Sequence, residues 1–290
     1  MIRPGLLLAV DDLDDLTDLT DLTDLTDDVD RTDVVLVDTR LALTGTSGRD
    51  KYDAGHLPGA AYLDIDHDLA APPGTGGRHP QPAPADLVAA VRRAGVRRGS
   101  RVVVYDDGPG TAAARLWWLL RDYGHDDVLV LDGGLAAWTE SGRPLSTEPF
   151  LPTPGDWTGT PGHLAVVGSD EVPGLARYGV LIDVRAAERF RGDHEPIDPV
   201  AGHVPGAVNA PLTGNTDASG RFLPDADLRQ RFSGLGVAEG VEVAAYCGSG
   251  VTATQTLLAL RLAGFADAAL YPDSWSGWIT DPSRPVATGA

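Results

Sequence analysis

The second half of this 290-residue chain repeats the landmarks of the first, in the same order and at nearly one offset. Asp38-Thr39-Arg40 returns as Asp183-Val184-Arg185, and Ala54-Gly55-His56-Leu57-Pro58-Gly59-Ala60 as Ala201-Gly202-His203-Val204-Pro205-Gly206-Ala207. Val104-Tyr105-Asp106 returns as Ala245-Tyr246-Cys247, and Trp138 as Trp278. A chain organised this way folds as two copies of one design. In each copy, short apolar runs (34–38, 101–105 and 128–131; 180–184, 241–246 and 268–271) alternate with helical stretches (86–94 and 111–123; 225–232 and 252–263). Runs that are apolar throughout suit strands buried on both faces. The alternation therefore predicts an α/β fold of two domains, each a mainly parallel sheet with helices on both faces.

The expected division is a first domain over residues 1–145, a linker over 146–163 and a second domain over 164–290. Pro144 to His163 is dense in Pro, Gly and Thr, which favours neither helix nor strand. With 42% hydrophobic residues, a chain of this length can bury two cores. An Asp-Leu-Thr repeat occupies residues 11–28, with Leu13, Leu16, Leu19, Leu22 and Leu25 three apart. That spacing drifts around a helix, and the repeat reads as an expanded stand-in for an amphipathic helix, with no chemistry assigned.

Charge and composition exclude several classes. Acidic residues outnumber basic ones 42 to 23, for a net charge of -19. Such a chain repels a phosphate backbone, and no basic patch reverses the repulsion, so no nucleic acid is expected as a partner. No stretch approaches the roughly 18 uninterrupted apolar residues of a membrane span, so no membrane is expected either. The apolar run near the start is too short for a secretion signal, and a single cysteine forms no internal disulfide; the expected location is cytoplasmic. One Cys and seven scattered His offer no metal-ligand spacing, and no glycine fingerprint for a nucleotide follows the early strands, so no cofactor is expected.

That one cysteine stands in Tyr246-Cys247-Gly248-Ser249-Gly250-Val251-Thr252-Ala253, between an apolar strand and a helix that Gly264 stops. In this setting the backbone N–H groups of Gly248 to Thr252 can point at the sulfur, and the positive end of the helix favours an anion there. The thiol reads as a nucleophile. A phosphatase loop of this kind needs Cys, five residues and then Arg to grip phosphate with two hydrogen bonds. The corresponding residue is Ala253, which argues against phosphoryl transfer. A loop this short suits a sulfur atom added to the thiol.

The paired Gly-His-x-Pro-Gly-Ala motifs and the loop from Cys247 to Ala253 together resemble the tandem-domain rhodanese family of sulfurtransferases, which includes thiosulfate and 3-mercaptopyruvate types. The resemblance covers essentially the whole chain after Asp33. It implies two small α/β domains, with the catalytic Cys in the second and lost from the first, where Asp106 takes its place. It further implies that Cys247 accepts a sulfane sulfur from a small-molecule donor as a covalent persulfide. Cys247 then yields that sulfur to cyanide, a small thiol or a thioredoxin-like protein. Gly248, Gly250, Val251 and Thr252 would surround the sulfur. Arg189, in Glu188-Arg189-Phe190-Arg191-Gly192, matches the family's substrate arginine, able to hold a carboxylate or a sulfonate. Ser249, His79 and Asp66 match a proton relay for a departing enolate. Thiosulfate-preferring relatives carry basic residues just after the Cys, whereas Gly248-Ser249-Gly250 is neutral. The expected donor is accordingly 3-mercaptopyruvate, with release of pyruvate. A thiosulfate:cyanide sulfurtransferase and a noncatalytic persulfide-binding or interaction module are the alternatives.

Two departures from the family pattern stand out. Where a second arginine usually follows Arg189, this chain has Glu195-Pro196-Ile197-Asp198, with Arg191 as a candidate substitute. Tyr271-Pro272-Asp273-Ser274-Trp275 replaces the usual Tyr-Asp-Gly-Ser-Trp. Residues that recur in both halves, including the half without a Cys, are expected to be structural: His56 and His203 in turns, Asp38 with Arg40 and Asp183 with Arg185 as internal ion pairs. Trp117, Trp118, Trp138 and Trp278 are expected in the core.

Overall fold

A computed structural model describes residues 6–16, 33–41 and 45–290. The chain divides into two compact units. One is drawn from Met1–Asp68, Ala83–Pro161 and Ser219–Arg221, the other from Leu69–Pro82, Gly162–Ala218 and Phe222–Ala290. The segment 69–82, early in sequence, therefore packs with the later unit.

In the first unit, strands β1 (Leu7–Leu8), β2 (Val34–Asp38), β3 (Ala61–Tyr62), β4 (Arg101–Tyr105) and β5 (Val128–Leu131) form a sheet in the order β1-β5-β4-β2-β3. Every pairing is parallel; Leu36 stands beside Val103, and Val103 beside Leu129. The long strands are rich in β-branched and Leu residues because helices cover both their faces. Helices α1 (Val10–Leu16), α2 (Gly48–Ala54), α3 (Pro84–Arg93), α4 (Ala113–Asp122) and α5 (Gly134–Glu140) complete the unit. Of α4 only Arg121 escapes burial, which explains its Leu-Trp-Trp-Leu-Leu centre. Leu8, Leu13, Leu36, Val103, Tyr105, Leu129 and Trp138 share one core cluster.

The start of the Asp-Leu-Thr repeat is helical through Leu16, with Leu13 buried; the rest of it, residues 17–28, lies outside the described residues. The Pro/Gly/Thr-rich stretch is neither helix nor strand over residues 151–160, yet it is anchored. Gly155 N–H donates to Arg92 O (2.8 Å), Arg92 Nε donates to Trp157 O (2.7 Å), and Trp157 is fully buried.

The second unit repeats the plan. Strands β6 (Val180–Asp183), β7 (Val208–Asn209), β8 (Val243–Tyr246) and β9 (Ala269–Leu270) run parallel in the order β7-β6-β8-β9. Helices α6 (Val172–Tyr178), α7 (Ala187–Arg191), α8 (Asp225–Ser233), α9 (Ala253–Leu262) and α10 (Ser274–Trp278) surround them. Here α9 takes the place of α4 and is buried along nearly its whole length.

The duplication extends to individual bonds. Tyr105 OH accepts from Leu57 N–H at 3.0 Å, and Tyr246 OH from Val204 N–H at 3.1 Å. His56 stacks on Tyr52 and His203 on Phe190, each ring placing Nδ1 within 2.9 Å of its partner's backbone oxygen. Arg40 pairs with Asp38 at 2.8 Å and Arg185 with Asp183 at 2.6 Å, all four buried. Trp138 and Trp278 donate their indole N–H to Pro144 O and Pro285 O. The α/β architecture expected from the alternating pattern is the one observed. The two-residue strands β1, β3 and β7 are additions, too short to leave a periodic signal.

Candidate active site

Cys247 follows β8 directly, and α9 begins at Ala253, so the intervening loop turns at the carboxyl edge of a parallel sheet. Such edges gather helix N-termini and loop N–H groups and commonly bear ligand sites. The Cys247 side chain is buried, and Gly250 N–H donates to its Sγ at 3.1 Å. Gly250 has φ +80° and packs against Pro272 O where a Cβ would stand, so only glycine fits. Val251, within the loop, is buried, and Thr252 is the N-cap of α9.

The start of α10 clamps this loop. Ser274 Oγ accepts from Cys247 N–H (3.1 Å) and donates to Tyr271 O (3.0 Å). Trp275 N–H donates to Cys247 O (3.0 Å) and Ser276 N–H to Gly248 O (2.8 Å). Beneath it, burial holds the Tyr246 hydroxyl well above its ordinary pKa, so it stays protonated.

Segment 69–82 delivers two further side chains. His79 Nδ1 lies 2.7 Å from Ser249 Oγ, joining residues 170 positions apart. Arg78 N–H donates to Ser276 Oγ at 3.0 Å, and its guanidinium pairs with Asp198. Asp198 also takes Arg189 Nη2 at 3.0 Å, and Glu195 takes Arg189 Nε at 3.0 and 3.1 Å. Both guanidinium groups stand over Gly248: a Cβ there would lie 2.7 Å from Arg78 Nη2 and 3.7 Å from Arg189 Nη1. Burial pulls the Arg78 guanidinium below its ordinary pKa, while Cys247 and Glu195 pull the other way.

Of the residues singled out in the sequence, Cys247, Gly248, Ser249, Gly250, Val251, Thr252, His79 and Arg189 all belong to the second unit. Asp66 belongs to the first, in the turn after β3, with its N–H donating to Asp64 Oδ1 at 2.8 Å. Arg191 is exposed and paired with Asp193 (2.7 Å). Sequence reasoning missed Arg78 and Asp198. No local pattern marked them, because Arg78 and Asp198 meet across 120 positions of sequence.

The first unit shows the same kind of loop already holding an anion. Asp106, at the place of Cys247, is buried. Its Oδ1 accepts from Gly108 N–H (2.9 Å) and Gly110 N–H (3.1 Å), and its Oδ2 from Ala112 N–H (2.8 Å) and Ala113 N–H (3.2 Å). Those oxygens stand two bonds from Cβ, as the outer sulfur of a cysteine persulfide does. A ring of N–H groups closing on an anion at that distance is thus built into the fold.

The rhodanese-like domain model matches residues 21–141 and 171–281, one copy on each half. The chain belongs to the rhodanese family. A Pseudomonas aeruginosa protein named "Probable 3-mercaptopyruvate sulfurtransferase" is 50% identical over 268 residues, covering 89% of this chain and 93% of its own. "Putative thiosulfate sulfurtransferase SseB" of Mycobacterium tuberculosis is 41% identical over 262 residues, covering 88% and 91%. The crystal structure of the Escherichia coli 3-mercaptopyruvate sulfurtransferase SseA superposes with a TM-score of 0.78 at 29% identity, over 94% of this chain and 99% of that one. This rhodanese-family chain is a sulfurtransferase, and its relatives carry the names of two different donors.

Proposed function

We propose that the chain takes the sulfur of 3-mercaptopyruvate onto Cys247, releases pyruvate, and delivers the sulfur from the persulfide to a thiol or to cyanide. The observation that carries the donor assignment is the 2.7 Å contact between His79 Nδ1 and Ser249 Oγ. When the C–S bond of 3-mercaptopyruvate breaks, the electron pair goes to carbon and the pyruvate enolate needs a proton. Sulfite leaving thiosulfate needs none. A hydroxyl two residues beyond the nucleophile, bonded to an imidazole, fits the first need.

In the first half-reaction the Cys247 thiolate attacks the donor sulfur, and an S–S bond forms as the C–S bond breaks. The enolate takes its proton through Ser249, and the donor's S–H hydrogen stays on the outer sulfur until the persulfide ionises. Loop N–H groups then hold that anion, as the first unit's loop holds the Asp106 carboxylate. In the second half-reaction the acceptor attacks the outer sulfur, and the S–S electron pair returns to Cys247. The neutral Gly248-Ser249-Gly250 sequence and the donor named for the P. aeruginosa relative support this reading. The acceptor is proposed to be a small thiol or a thioredoxin-like protein, with the persulfide as the sole prosthetic species and the reducing cytoplasm as the setting. Among the described residues no helix is long and apolar enough to cross a membrane.

Thiosulfate is the second reading, favoured by the paired arginines over Gly248 and by the donor named for the M. tuberculosis relative. The test is kcat and KM with both donors, cyanide as acceptor, for the native chain and for Cys247→Ser and Ser249→Ala. The expected outcome is a preference for 3-mercaptopyruvate, no turnover by Cys247→Ser, and a roughly 100-fold loss of kcat in Ser249→Ala with that donor alone. A native preference for thiosulfate replaces the donor. No turnover with either, while Cys247 still alkylates, leaves a noncatalytic persulfide-binding module. An Asp66→Asn variant with unchanged kcat removes Asp66 from the relay.

A further inference from the structure

We propose that Arg78 is the second anion-binding guanidinium of the donor site, acting beside Arg189, and that Asp198, which bridges the two, biases the site toward singly charged donors. The proposal rests on the sulfur-transfer reading above and adds to it how the donor's charged end is recognised.

Four observations converge. Arg78 Nη2 and Arg189 Nη1, both over Gly248, make no hydrogen bond to the described protein, so each keeps N–H donors for a ligand beside the nucleophile. Their inner nitrogens are held by Asp198, whose side chain is 2% exposed, while the arginines are 31% and 15% exposed and reachable. The Arg78 backbone is tied to Ser276, the residue whose own N–H holds Gly248 O, so guanidinium and nucleophile loop share one anchor. Finally, three guanidinium groups (Arg78, Arg185, Arg189) face three carboxylates (Asp183, Glu195, Asp198), so the site before Cys247 ionises is close to neutral. A single carboxylate can exchange onto the free N–H groups of the clamp. A doubly charged donor such as thiosulfate must place its extra charge beside Asp198 and the thiolate.

The test reads the clamp in two ways, on the full chain and its Arg78→Gln, Arg78→Lys and Asp198→Asn variants. One is the rate of Cys247 alkylation by anionic iodoacetate relative to neutral iodoacetamide, which requires no donor assignment. The other is KM and kcat for 3-mercaptopyruvate and thiosulfate. Arg78→Gln is expected to lower the iodoacetate to iodoacetamide ratio about fivefold and to raise KM for 3-mercaptopyruvate about tenfold, with kcat within about threefold. Arg78→Lys, which keeps the charge but not the fork, is expected to fall between. Asp198→Asn is expected to raise the ratio and lower KM for thiosulfate severalfold. An unchanged ratio and KM in Arg78→Gln overturns the proposal, as does a loss confined to kcat, which assigns Arg78 to holding the loop. If the native chain prefers thiosulfate, the donor reading and the charge bias assigned to Asp198 both fail, and the alkylation ratio still decides on Arg78. Should Arg78→Gln not fold, the ratio in Arg78→Lys and Asp198→Asn decides.

Discussion

Ser274 is the one described residue other than glycine with a positive φ, +54°. Its counterpart in the first unit, Gly134, adopts φ +53° without a side chain to strain. The left-handed conformation costs a serine about 1 kcal/mol, and what it supports is the hydroxyl that receives Cys247 N–H. Ser274→Ala keeps the strain and leaves a buried N–H without its acceptor, an expected loss of about 2 kcal/mol. Ser274→Gly loses the same bond but relieves the strain, so its loss is expected to be about 1 kcal/mol smaller. Urea unfolding midpoints of the two variants check the order; an equal loss in both removes the strain argument. The sequence carried Ser274 only as a departure in the motif around it, because a φ value and a bond to a residue 27 positions away leave no local signature.

At the scale of elements, segment 69–82 decides the most. It is too irregular to show a period, yet it seats Arg78 and His79 beside the cysteine loop. Gly77 makes this possible: its φ is +93°, and a Cβ there would lie 2.6 Å from Ser276 Oγ and 2.8 Å from Asp273 O. Gly77→Ala is expected to displace the segment and lower kcat/KM more than tenfold while circular dichroism shows the fold retained; unchanged kinetics would mean the segment tolerates the shift. The connection after α4 carries a second prediction. His125 is buried edge-on to Trp157, and burial lowers its pKa although Asp127 and Asp126 oppose the shift. In the unfolded chain it titrates near its ordinary value of about 6.5. Below that pH the unfolded chain binds a proton that the folded chain refuses, so stability falls as pH drops from about 6.5 toward the folded pKa, and is unaffected above. Denaturation at pH 7.5, 6.5 and 5.5 should show a shallower decline for His125→Asn than for the native chain.

Across the whole molecule, one loop design serves two occupants. The first unit fills its ring of N–H groups permanently with Asp106, and the second holds a cysteine whose sulfur takes the Gly250 N–H. Asp106→Ala strips four buried N–H groups of a charged acceptor and is expected to cost about 3 kcal/mol, whereas Cys247→Ala is expected to cost about 1. Urea titration of both variants measures the difference, and equal values would mean the Asp106 contacts contribute little net stability. The duplication, the α/β class and the place of the lone cysteine in a loop between strand and helix were legible from residue order alone. Strand composition reports burial on both faces, and a glycine-rich stretch between an apolar run and a helical one reports a loop, because both are local properties. The meeting of His79 with Ser249 across 170 positions, the bridging of Arg78 and Arg189 by Asp198, and the strand β1 could be decided only by the tertiary structure. Those depend on distances that packing sets between segments remote in sequence, and a side chain such as Arg78 acquires its meaning only from the groups brought against it.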